Sequence, residues 1–260
     1  MRETLNDQAL KDRELGMDDA WIFYVNMMSP RMPFTGEDLN FLSQVLGKVS
    51  GTPVAVDSLV RDEQNLDFLL DLPAVKEALL DELGCLKISP RFYFYILIRD
   101  VLQRGSIKSR GICHYLAEVL ESFSKTSSLT HQGAEGTPHF AYVSDLLIAL
   151  QKLPPKQSYQ LRVHLGNYSL FMTGIFHERL EHYSKRHGAP GIRFYESIGQ
   201  SAYRMAADNQ MAKSEHLEEV LYGLSEGFHE VRVALNHMVE KTIHFHGHSY
   251  DLDAGNTTVT

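Results

Sequence analysis

Apolar residues along this chain recur at intervals of three and four, the spacing of α-helices that turn one side to a core, and no stretch alternates convincingly as a half-buried strand would. An all-α fold of about eight or nine helices follows from that pattern. In TGEDLNFLSQVLGKVSG the residues Leu39, Leu42, Val45, Leu46 and Val49 repeat at helical spacing. Thr35 stands at the N-cap position, acids fill the first turn and Gly51 follows the last. Ahead of it, DDAWIFYVNMM reads as a helix closed by Ser29-Pro30. A short helix opens at Pro73 and ends at Gly84. The next, SPRFYFYILIRDVLQRG, has Ser89 as N-cap and Pro90 in its first turn, and runs to Gly105. Its apolar side chains go all round, so it should be buried on most sides, and Arg99 and Asp100 must reach an edge or find partners. SRGICHYLAEVLESFSKT follows as a further helix.

The most loop-like segment, TSSLTHQGAEGTP from Thr126 to Pro138, divides the chain. Residues 1–130 form a half of short helices, 138–245 a long-helix bundle and 246–260 a polar tail, the two halves being expected to fold as one cooperative body. Within the second half a helix from about Pro138 to Leu153 stops at Pro154-Pro155, and a long one continues to about His187. Another spans about Gly191 to Asn209, and the last about Ser214 to Phe245. The helix ending near His187 carries two packable sides. Leu161, Leu165, Tyr168, Met172, Ile175 and Phe176 form one, and Gly166, Ser169, Leu170, Thr173 and Gly174 the other, so it is expected at the centre with a neighbour close by.

Composition narrows the function more than it names it. With 260 residues, 43% apolar and 22% charged, the chain has the makeup of a folded protein. A net charge of −8 provides no general attraction to phosphate backbones, so nucleic acid is not the expected partner. Against this stands only RDVLQRGSIKSR, where Arg99, Arg104, Lys108 and Arg110, with Lys125 further on, would have to build a basic surface. Cys85 and Cys113 lie far apart and form neither a disulfide framework nor a CxxC pair, and the N-terminal stretch is charged throughout. A cytoplasmic location is the expectation. The longest apolar run, Phe92 to Ile98, falls far short of the roughly 20 residues a membrane-spanning helix needs, so membrane insertion is not expected.

Histidine and carboxylate residues supply the candidate chemistry. Glu226 and His229 have the Glu-x-x-His spacing of di-metal carboxylate bundles, yet they fall on the side of the last helix opposite its apolar residues, and the chain holds no second such pair. That polar side collects Glu215, Glu219, Tyr222, Glu226, His229, Glu230, His237, Glu240 and His244. His244, His246 and His248 alternate, so an extended backbone would turn three imidazoles the same way, a set that suits zinc, nickel or copper. His164, Tyr168, Glu178 and His182 follow one line along the central helix and are the candidate polar lining of a ligand pocket between helices.

Phosphate loops, dinucleotide fingerprints and HExxH are missing from the sequence, and no reaction and no cofactor is assigned. Two readings follow. In the first, the chain is a non-catalytic protein acting through protein–protein contacts, as a homo-oligomer or an adaptor, with the acidic helix face meeting the partner. The alternative is a helical bundle that binds a metal, haem or apolar ligand, with room for enzymatic activity.

Overall fold

A computed structural model describes residues 34–56, 58–80, 88–125, 139–154 and 158–246. Among the described residues there are twelve α-helices and no strand, so the chain is all-α. The helix expected in DDAWIFYVNMM, the dividing segment from Thr126 to Pro138 and the tail beyond His246 lie outside the described residues. We number the helices α1 (Gly36–Ser50), α2 (Glu63–Asp71), α3 (Pro73–Leu80), α4 (Pro90–Leu102), α5 (Arg110–Lys125) and α6 (His139–Lys152). They continue as α7 (Tyr159–Ile175), α8 (His177–His187), α9 (Ile192–Ala207), α10 (Gln210–Ser214), α11 (Glu218–Glu226) and α12 (Phe228–His246).

The starts of α1 and α4 show how local sequence becomes tertiary contact. The Thr35 hydroxyl accepts the Asp38 N–H, and the Asp38 carboxylate takes back the Thr35 N–H at 2.9 Å, a reciprocal cap that satisfies two helix-end donors. Asp38 is fully buried because the same carboxylate also receives the Ser89 N–H at 2.8 Å and the Ser89 hydroxyl at 3.0 Å. Ser89 in turn caps α4 by accepting the Phe92 N–H. One carboxylate therefore ties together two helix N-termini that are 51 residues apart in sequence.

The count exceeds eight or nine because α2 and α10 form where no helix was expected and because two helices that look continuous in the sequence are interrupted. The first break falls at Phe176, between α7 and α8. There Asn236 of α12 donates its amide N–H groups to the Thr173 and Gly174 carbonyls at 2.9 and 2.6 Å. In an uninterrupted helix those carbonyls would accept from residues 177 and 178, so Asn236 takes the place of the next turn. The second break falls at Gly227, between α11 and α12. A Cβ on Gly227 would stand 2.6 Å from Ile107 Cδ1, so glycine here is what admits the loop after α4. Glu230, one turn on, secures that loop by accepting both the N–H and the hydroxyl of Ser106.

At the centre lies α7, buried from Tyr159 to Gly174 except for Gln160 and Arg162. It packs most extensively on α9, and α12 and α6 also lie against it. α11 covers α9, while α12 packs on α4 and α11 on α5, which joins the α4–α5 pair to the rest. One contiguous apolar cluster extends from Phe41 to Met238. The small-residue side of α7 meets α9 as its composition implied. A Cβ on Gly166 would lie 2.6 Å from the Tyr203 ring, and beside it the Asn167 Oδ1 accepts the Tyr203 hydroxyl at 2.8 Å and the Tyr115 hydroxyl of α5 at 2.7 Å.

These contacts predict that Gly166→Ala forces the Tyr203 ring aside and lowers stability by about 1–3 kcal/mol. Gly36→Ala, where nothing lies within 4 Å, is expected to be neutral or slightly stabilising. Urea unfolding of both variants checks the contrast.

Candidate functional site

The cleft between α3, α4 and α12 is where apolar lining and ionic groups meet. Pro73 starts α3 and sets its Lys76, Glu77 and Leu80 along one wall. From α4 come Ile96, Leu97, Asp100 and Val101, a single helix face by their spacing, Arg104 follows in the turn after it, and α12 adds Met238, Lys241 and Thr242. The cavity measures about 430 Å³. Ile96, Val101 and Met238 are buried and form an apolar floor.

Asp100 stands at the rim with three cations around it. Its Oδ1 accepts from the Lys76 ammonium at 2.8 Å, and its Oδ2 accepts from the Arg104 guanidinium at 2.8 Å. Lys241 Nζ lies 3.6 Å from the same Oδ2, an ion pair without hydrogen-bond contact. Burial pushes the Asp100 carboxyl upward, but the Lys76 hydrogen bond and the charges of Lys76, Arg104 and Lys241 outweigh it and hold the group below its ordinary range. With Glu77 included, three cations face two carboxylates, leaving one positive charge in excess on a chain whose net charge is −8.

The other ionic cluster is closed on itself. Arg99, only 8% exposed, grips Asp71 with two parallel hydrogen bonds at 2.8 and 2.9 Å and reaches Asp67 at 2.8 Å. Gln103 also donates to Asp71, and Arg110 donates to Asp67. Burial raises the Asp71 carboxyl, yet the Arg99 and Gln103 hydrogen bonds win and lower it. This cluster sews α2 to α4 and α5. Of the basic stretch, Arg99 and Arg110 face carboxylates of this cluster, and Arg104 faces Asp100.

The residues singled out from sequence spacing do not assemble into one site. His164 and Tyr168 are buried in α7 with ring centroids 6.3 Å apart, whereas Glu178 and His182 are solvent-exposed on α8. The break at Phe176 is the reason, because it ends the common line the four would share on a continuous helix. Glu226 and His229 are separated by the break at Gly227, and both are exposed. His229 Nδ1 instead lies 3.0 Å from Glu196 of α9. The backbone is helical, not extended, at His244 and through His246, and His248 lies outside the described residues. Among the described residues, no three histidine, cysteine, aspartate or glutamate side chains gather to hold a metal ion.

The acidic helix face is likewise partly engaged. Glu215 accepts the Tyr159 hydroxyl at 2.8 Å, Tyr222 donates to Asp208, and Glu230 holds Ser106. Sequence reasoning passed over Lys76, Asp100 and Lys241 as a group, although Asp100 on an otherwise apolar helix was a signal that some partner must exist. No helix among the described residues is long and apolar enough to cross a membrane. Comparison of the chain with protein-family models, curated proteins and solved structures finds no match.

One buried and one half-buried imidazole give the protein a pH dependence. Burial lowers the pKa of His164 to about 4, and burial together with the charges of Arg110 and Arg91 lowers that of His114, stacked on Tyr95, to about 4 as well. Both values lie below the unfolded value, so the unfolded chain takes up protons first on acidification. The expected stability is complete above about pH 6.5 and declines toward about pH 4. His164→Leu should flatten the fall by ~3 kcal/mol, read from denaturation midpoints across that range.

Proposed function

We propose that this protein binds a small amphiphile, an aliphatic chain carrying one anionic head group, in the cleft between α3, α4 and α12. The observation that carries the reading is the meeting of an apolar floor and a cationic rim in one cavity of about 430 Å³. That size lies within the range of about 300–1,000 Å³ usual for small-molecule sites, whose walls are mostly apolar with a few placed polar groups. Each methylene moved from water onto Ile96, Val101 and Met238 contributes about 0.8 kcal/mol. Lys241, 43% exposed and beyond hydrogen-bond distance of Asp100, is the cation best placed to meet the head group. This is the apolar-ligand reading of the sequence, moved from the histidines to a different set of residues.

A role in protein–protein contact or self-association is the second reading. Its support is the exposure of large apolar side chains, with Phe68 at 68% and Val49 at 63%. Its test is sedimentation across a concentration series with Phe68→Ser as the comparison, where a mass above that of one chain that falls in the variant supports it.

For the cleft, calorimetry with decanoate and decanol is the direct test. Decanoate is expected to bind one per chain and more tightly than decanol, because only the acid engages Lys241. Thr242→Trp, which fills the cleft from its α12 side, should abolish both, and Lys241→Ala should weaken decanoate by ~10-fold or more. Absence of binding by either compound overturns the reading.

A further inference from the structure

The three cations of the cleft are arranged around a carboxylate that belongs to the protein itself. A carboxylate offers two oxygens and about four acceptor positions. Asp100 uses one oxygen for Lys76 and the other for Arg104, and Lys241 approaches that second oxygen without closing on it. The cationic rim thus already fits a planar, singly charged anion held from two sides. The cations differ in how firmly they are placed. Lys76 is 26% exposed and bonded at 2.8 Å, whereas Arg104 is 61% exposed and Lys241 43% exposed, so these two have solvent in which to turn.

We infer that Asp100 acts as an internal stand-in for the ligand's anionic head group, and that the ligand is a carboxylate which draws Arg104 and Lys241 from Asp100 as its chain enters the apolar floor. The inference rests on the cleft being the ligand site. Lys76 stays with Asp100, which keeps α3 joined to α4 while the exchange takes place. A singly charged head group suits this arrangement better than a dianionic one, since Asp100 and Glu77 remain close and repel each added negative charge. Without a ligand Asp100 already engages Lys76 and Arg104, so the cleft offers a small inorganic anion only one positive charge in excess. An entering ligand must then contribute burial of its chain as well as its charge.

The test is calorimetry of decanoate, decyl phosphate and decylamine against the wild-type chain and Asp100→Asn. Removing the competing charge is expected to tighten decanoate by ~10-fold, and to tighten decyl phosphate by more, while decylamine does not gain. Weaker or unchanged decanoate binding in Asp100→Asn, with wild-type binding intact, overturns the inference and leaves the cleft reading standing. Tighter decylamine than decanoate on the wild-type chain also overturns it, since Asp100 would then be the ligand's partner. If neither chain binds any of the three, the cleft reading itself fails. Should Asp100→Asn not fold, the wild-type chain carrying 13C-labelled aspartate supplies the second measurement. The Asp100 carboxyl resonance is expected to move and saturate as decanoate is added, and a resonance that stays fixed while decanoate binds overturns the exchange.

Discussion

A helix buried on nearly every side must find partners for most of its polar groups within the protein, and α7 sets that requirement for the rest of the fold. Its Asn167 lies fully inside and is met by hydroxyls from Tyr115 on α5 and Tyr203 on α9. Its last carbonyls are met by Asn236 on α12. An unmet buried polar group costs about 1–3 kcal/mol, so these bonds act less as added stability than as a filter on which helix positions are allowed. Rotating α9 or sliding α12 by one turn would leave α7 with orphaned groups.

The placement of α12 follows from that filter and determines the cleft. Arg232 bridges Asn236 on its own helix to Glu196 on α9, so the contact that caps α7 also joins α9 to α12. Near its start, α12 holds the loop after α4 through Glu230 and Ser106. With both points secured, the C-terminal part of α12 lies beside α4, and Met238 and Lys241 come opposite Val101 and Asp100. On the far side of α4, Arg99 binds Asp67 and Asp71, which orients the helix about its own axis. Arg99 is buried while Asp67 and Asp71 are a quarter to a third exposed, so these pairs specify orientation more than they stabilise. Adjacent residues Arg99 and Asp100 thus point into two different ionic clusters, one closed and one at the rim of a cavity.

Much of the helical architecture was legible along the chain because caps and periodicity are local. Thr35, Ser89 with Pro90, and Gly51 mark helix ends by their own backbone chemistry, and the structure has those ends where the residues place them. The two packable sides of α7 and the need for partners at Arg99 and Asp100 were also readable, since each follows from what lies three or four residues away. The breaks at Phe176 and Gly227 were not, because the groups that cause them, Asn236 and Ile107, are 60 and 120 positions distant in the chain. Those two breaks separate His164 from His182 and Glu226 from His229 along the chain's helices.

The order of hydrophobic and polar residues determined by itself that the fold is all-α, where several helices begin and which one lies innermost. Tertiary structure alone decided which charges meet. Lys76, Asp100 and Lys241 belong to three helices, and no periodicity relates them. The physical reason is one of range: a helix is made by hydrogen bonds four residues long, whereas a cleft is made by the packing of helices whose relative positions depend on every buried group between them.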